Sequence, residues 1–323
     1  MKIVTFGSCM SRYLTEALAR KVPRIQRLGS VYHNRIDTFV DTVVTQSRPF
    51  MPREVISRMR FQPGADKDAL AIINNQYPEP LGTLGRHLTA PGFPGFLAGL
   101  AQADLVLMDN FMDVAANVFQ HREGPGRIFF NSKAVVDPLQ DLVGIGLLTA
   151  PIGARKWAQL FDWVRSQNPR AHMVFVNFPT RHHTNKAIRP RGDDFAKAIA
   201  HREDVVMLPI VDIQPHELCP GTQSHFIPAV YDRYVEVMLP RLSRPVGELA
   251  QAPASEPVLV ELPVEEASLD PELPEEVATA RNAGDTGEAR PGNATALATP
   301  AAPNAATPRG AGVRKSKNTG RRR

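Results

Sequence analysis

Cys9 and His225 are the two side chains of this chain whose types and surroundings best suit nucleophilic chemistry. A thiol attacks once it has lost its proton, and an imidazole is the usual base that takes it. Cys9 lies in Gly7-Ser8-Cys9-Met10-Ser11-Arg12, directly after the apolar, β-branched run Ile3-Val4-Thr5-Phe6. That run has the length and composition of a buried strand. Gly7 allows a sharp turn, and Ser8 suits a helix cap. From Tyr13 to Arg20, Leu14, Ala17 and Leu18 share one helical face. Strand, tight turn and helix present a nucleophile at the C-terminal edge of a parallel sheet, where a helix N-terminus stabilises an anion. A thiol held there is expected to have a lowered pKa. The opposing reading is a small buried hydrophobe, the commonest role of a lone cysteine.

Three further loops carry polar residues at matching places. Gly29 and Ser30 follow a second short strand, read over 25–28. Asp109 and Asn110 follow the apolar run Leu105 to Met108, which has the character of a central parallel strand. His225 sits in Gly221-Thr-Gln-Ser-His-Phe226, just before the last helix. In a parallel sheet these loops converge at one edge, where ligands bind. Arg12, one helical turn beyond Cys9, suits a substrate anion or else a surface ion pair. His216 rivals His225 as base. His182 and His183 could line the cleft, but adjacent side chains point in different directions, so no shared metal is expected. Asn74, Asn75 and Asp113 read as turn or cap residues.

The elements that must position these groups alternate along the chain. Helical spacing recurs over 35–45, 152–167, 194–201 and 228–239, and strands are read at 173–177 and 205–210. The pattern implies an α/β fold, a mainly parallel sheet covered on both faces in three layers. Pro and Gly punctuate a long connection between residues 78 and 95. After about Arg244 the composition turns to Ala, Pro, Glu and Thr, acidic first and basic at the end. Such a segment buries too little apolar surface to offset its ordering entropy. Residues 1–245 are therefore read as one domain, and 246–323 as a disordered tail able to recruit a protein partner. Hydrophobic residues are 43% of the 323 and charged ones 22%, ordinary for a globular protein. The formal net charge of +5 is spread along the chain apart from the C-terminal cluster, which argues against a specific nucleic-acid site. Two cysteines make no disulfide framework and no zinc site, and no apolar run reaches the length of a membrane span. The N-terminus reads directly into a strand rather than a signal peptide, so a cytoplasmic location is expected.

Over roughly Met1 to Leu242 the short motifs resemble the SGNH (GDSL-like) hydrolase superfamily. They are closest to its branch with Gly-Ser-Cys in the first block, as in GSCFA-type proteins, and are also similar to capsular-polysaccharide enzymes proposed to be acetyltransferases. The superfamily's serine position falls on Cys9, with Ser8 before it. The second-block glycine falls on Gly29 or nearby, the third-block asparagine on Asn110, and the fifth-block histidine on His225. The resemblance implies a flavodoxin-like sheet and acyl transfer, as acetyltransferase or esterase, without cofactor or metal. Cys9 would attack an acyl carbonyl and His225 would act as base. Backbone amides of Cys9 and Gly29 or Ser30, with the Asn110 side chain, would hold the oxyanion, and Ser8 and Arg12 would touch substrate. The donor would be an acyl thioester such as acyl-CoA, and the acceptor a glycan or small molecule. The family's aspartate three residues before the histidine is replaced by Thr222, leaving Asp212 as the candidate acid. That departure also fits an inactive relative serving as a binding or adaptor protein.

Overall fold

The computed structural model describes residues 1–78, 81, 95–137 and 140–242. The chain from 243 onward, including the expected tail and the domain boundary at 245, lies outside the described residues, as does most of the connection between 78 and 95. Five parallel strands form the main sheet: β1 (Lys2–Gly7), β2 (Gln26–Tyr32), β3 (Leu105–Asp109), β4 (His172–Val176) and β5 (Val205–Leu208). Their order is β5-β4-β3-β1-β2. The chain therefore starts inside the sheet, adds β2 on one side and then crosses to add β3, β4 and β5 on the other. The reversal falls between β1 and β3, where a crevice opens at the C-terminal ends of the strands. β3 is buried at all five positions, as a strand covered on both faces must be.

Helix α1 (Cys9–Lys21) follows β1, and α2 (Asp66–Asn74), α3 (Gly95–Leu100), α4 (Phe111–Ala115), α5 (Ala150–Gln167), α6 (Arg191–Ala198) and α7 (Pro228–Leu242) follow in order. α1 and α7 pack on each other. α5 turns Trp157 onto two strands, its ring 5.5 Å from Phe6 and 4.6 Å from Phe175. Phe6 also meets Phe39 at 4.8 Å, from a short helix Ile36–Phe39 that continues as a π-helical turn, Val40–Val44. Burying each such side chain contributes about 1.5–3 kcal/mol.

A second apolar cluster, with Met51, Ile73, Tyr77 and Phe130 at its centre, lies between α2 and small antiparallel sheets. One of those sheets pairs Phe119–His121 with Arg127–Ile128 and Leu142–Gly144. Gln76 clamps this part to α2: its amide donates to Phe129 O at 2.7 Å and its side-chain oxygen accepts from Phe129 N at 2.8 Å. The clamp brings the 129–131 segment towards the sheet edge.

Two boundaries change what reaches that edge. β2 runs on to Tyr32 instead of ending at residue 28, so Gly29 and Ser30 are mid-strand and form no turn. A Cβ on Gly29 would lie 2.6 Å from backbone atoms of Gly95 and Phe96, so glycine there permits the close approach of α3 rather than a bend. α1 begins at Cys9 itself, four residues earlier than the apolar spacing indicates. The Ser8 cap, not the apolar face, sets the start.

Candidate functional site

The C-terminal end of β1 delivers Gly7, Ser8 and Cys9 into the crevice. Ser8 caps α1, its hydroxyl accepting from Met10 N at 3.0 Å. Gly7 has φ +140°, and the space of its missing Cβ is filled by the Asp109 carboxylate from the end of neighbouring β3. Only glycine fits there, on both counts. Asp109 is the hub of the turn. Its Oδ2 accepts from Ser8 N at 2.8 Å and Ser11 N at 3.0 Å, and its Oδ1 accepts from the Ser8 hydroxyl at 2.8 Å and Phe111 N at 3.1 Å. The anion-binding start of α1 is thus occupied by the protein's own carboxyl group. Complete burial pushes that carboxyl up from its ordinary range, opposed by the four donors.

Cys9 is the first residue of α1 and lines a cavity of about 470 Å³. Its Sγ lies 2.6 Å from the Tyr32 hydroxyl and 3.9 Å from His33 Nε2. Burial pushes the thiol above its ordinary 9.0, and Asp109 adds to the effect; the Tyr32 hydroxyl, Arg12 and the residue's own amide pull the other way without cancelling it. The expectation of a lowered pKa is therefore corrected: desolvation outweighs the helix terminus, whose positive end is already neutralised by Asp109.

His225 and Arg12 share the cavity wall with Cys9, Ser8, Tyr13 and Ser224. The His225 ring stands edge-on to Tyr13, centroids 5.8 Å apart. Burial and the nearby Arg12 hold it below the usual histidine pKa, so it is neutral at pH 7. Among the described residues no hydrogen bond joins the His225 ring to Cys9 or to a carboxylate. Arg12 pairs with Glu16 at 3.1 Å and its guanidinium lies 4.6 Å from the Tyr13 ring centroid, so it is both an ion-pair partner and part of the wall. Ser8 borders the cavity too, but its hydroxyl is committed to Met10 and Asp109.

The remaining expected groups sit elsewhere. Asn110 is fully buried, its Oδ1 accepting from Phe178 N at 2.7 Å and its amide donating to Asn177 Oδ1 at 3.1 Å. It ties β3 to the end of β4 and is not on the wall of the Cys9 cavity. Ser30 is buried against Thr5, whose hydroxyl donates to it at 2.7 Å, and Gly29 faces α3, so neither offers an oxyanion donor. Asp212 is exposed and pairs with Arg181 at 3.0 Å, far from the role of orienting acid. His216 is exposed in a single turn, Pro215–Glu217, and is not on the cavity wall. His182 is 2.7 Å from Gln223 O, outside the wall. No group of three or more potential metal ligands occurs among the described residues.

Tyr32 and His33 were not singled out by sequence. The signal was hidden by ending the strand at residue 28: Tyr32 is the last residue of β2 and His33 the one after it, and polar residues at a strand's C-terminal end belong to the crevice. Asn75 fixes that end, donating to Tyr32 O at 3.2 Å. No helix of the described residues is long and apolar enough to cross a membrane. A scan against models of protein families finds no match to this chain, and a search of curated proteins finds no significant one.

Proposed function

We propose that this chain is a cysteine-dependent acyl-transfer enzyme, acetyltransferase or esterase, on a three-layer, flavodoxin-like scaffold of the SGNH kind. The observation that carries the reading is the position of Cys9. It opens a helix at the C-terminal edge of β1, beside the point where the strand order reverses, and faces a cavity that also holds imidazoles and a guanidinium. A raised thiol pKa does not oppose the reading. It means that the proton leaves as the sulfur attacks, into a neutral imidazole, rather than beforehand. Of the amides at the start of α1, those of Ser8 and Ser11 are spent on Asp109 and that of Met10 on Ser8. The Cys9 amide, which lies against its own sulfur, is the donor placed for an oxyanion. Arg12 suits an anionic portion of an acyl thioester donor, and the acceptor is a hydroxyl of a glycan or small molecule, or water. Two unpaired thiols fit a reducing compartment such as the cytoplasm.

Incubation with acetyl and longer acyl thioesters, followed by intact-mass measurement, tests the reading. An added acyl mass on wild type that is absent from Cys9→Ala is expected. A second reading, a binding protein without turnover, is favoured by the commitment of Asn110 and of three amides at the start of α1 to the protein itself. It takes over if no donor leaves an adduct on Cys9 and no ester is consumed.

A further inference from the structure

We propose that His33, rather than His225, takes the Cys9 proton, and that the Tyr32 hydroxyl holds the sulfur in place. The inference deepens the acyl-transfer reading and rests on it for its substrate.

Three observations carry it. His33 Nε2 is 3.9 Å from Sγ, within reach of a hydrogen bond to sulfur, and the Tyr32 hydroxyl is at 2.6 Å. His33 is also built into the same turn as the nucleophile: its backbone N–H donates to Gly7 O at 2.8 Å, two residues before Cys9. Finally, its ring is clamped, stacked on Tyr32 at 4.0 Å between centroids and edge-on to Phe129 at 5.9 Å. The residue pays for this with φ +57°, a conformation in which non-glycine residues are uncommon and which collects at functional sites. His225 has its ring against Tyr13 instead, and among the described residues no hydrogen bond holds it to the sulfur.

The chemistry balances within the site. The Cys9 S–H proton passes to His33 Nε2 as the sulfur lone pair forms a bond to the acyl carbon of a thioester or ester. The carbonyl π pair moves to oxygen, returns, and expels the leaving group, which takes the proton from His33. The acceptor hydroxyl then gives its proton to His33, attacks the Cys9 thioester, and the departing sulfur is reprotonated. Tyr32 donates to the sulfur whenever it carries charge. His225 and Arg12, on another part of the wall, are left to hold the substrate.

The test uses the full chain and single-turnover acylation of Cys9 by an acyl thioester, read by intact mass across donor concentrations. His33→Asn, which keeps a residue tolerant of the left-handed backbone, is expected to lower the maximal rate by about 100-fold. His33→Gly with added imidazole is expected to recover part of the rate. His225→Asn should mainly raise the donor concentration needed for half-saturation. His183→Asn, off the wall of the Cys9 cavity, should match wild type. A collapse of the maximal rate in His225→Asn, with imidazole rescue in His225→Gly and none in His33→Gly, overturns the proposal but leaves acyl transfer standing. If no donor acylates the wild type, acyl transfer fails, and iodoacetamide alkylation of Cys9 still decides the base. Slower alkylation in His33→Gly, restored by imidazole, supports the assignment, and equal rates in wild type and His33→Gly refute it.

Discussion

At pH 7 the site pairs a protonated thiol with a neutral imidazole, because burial works in opposite directions on the two kinds of group: it raises Cys9 and lowers His225. A consequence can be measured in the absence of any substrate. Alkylation of Cys9 by iodoacetamide at pH 7 should be slower than that of a free thiol, and should keep rising at pH values above those at which an exposed cysteine has levelled off. A plateau near neutral pH would show that the helix terminus wins after all. Asp109 is pushed up by burial as Cys9 is, but it is a carboxyl whose two oxygens meet four donors. Asp109→Asn turns an amide N–H₂ towards donors that need an acceptor, so it should cost about 3 kcal/mol. Urea unfolding checks this, and a loss under 1 kcal/mol would mean that the turn at Gly7 holds its shape without the carboxylate.

The elements meet through closely approaching backbones rather than through side chains alone. α3 lies so near β2 that a methyl group on Gly29 would overlap the backbone of Gly95 and Phe96. Gly29→Ala should therefore destabilise by about 1–3 kcal/mol, since backbone cannot swing aside as a side chain can. Gly144→Ala is the matched control: it also sits in a strand, and its added carbon meets only the Phe119 ring at 3.8 Å. Its midpoint in urea should stay within about 0.5 kcal/mol of wild type or rise slightly. Equal losses in the two variants would show that the cost is one of strand glycine in general and not of the α3 contact.

Across the whole molecule, Asp113 joins three distant parts of the chain. It accepts from Ile36 N at 2.8 Å and from Trp157 Nε1 at 2.7 Å. Burial is the leading cause that pushes its carboxyl up to about 8. The unfolded chain releases this proton near the ordinary 3.8, the folded chain only near 8, so the folded state holds the extra proton in between. Its contribution is complete below pH 4 and is lost as pH rises to 8. The buried Asp37, held below 3.8 by Arg35 despite its burial, acts in the opposite sense and loses stability only at acid pH. Wild type should accordingly lose stability relative to Asp113→Asn between pH 5 and pH 8.5, measured by urea midpoints. A constant difference across that range would place Asp113 in its charged form throughout.

What the sequence determined by itself was local. The apolar run ending at Phe6, Gly7 and the Ser8 cap dictate strand, turn and helix, because each depends on neighbours a few residues away. The apolar runs read at 105–108, 173–177 and 205–210 dictate strands for the same reason, and in the parallel sheet those strands end at Asp109, Val176 and Leu208. The assembly of Cys9, Arg12 and His225 around one cavity also follows from those strands ending on one edge. Other features depended on contacts across the fold. β2 runs through Gly29 and Ser30 because β1 continues to pair with it as far as Tyr32, a pairing that the residues next to Gly29 do not reveal. That extension removes the expected oxyanion donors and sets Tyr32 and His33 beside the sulfur. Asp109 reaches Gly7 because β3 lies next to β1, 101 residues from Ser8 in the chain, and it fills the helix terminus that looked open. The thiol's pKa follows from that filling and from burial, both properties of the packed molecule rather than of the Gly-Ser-Cys motif.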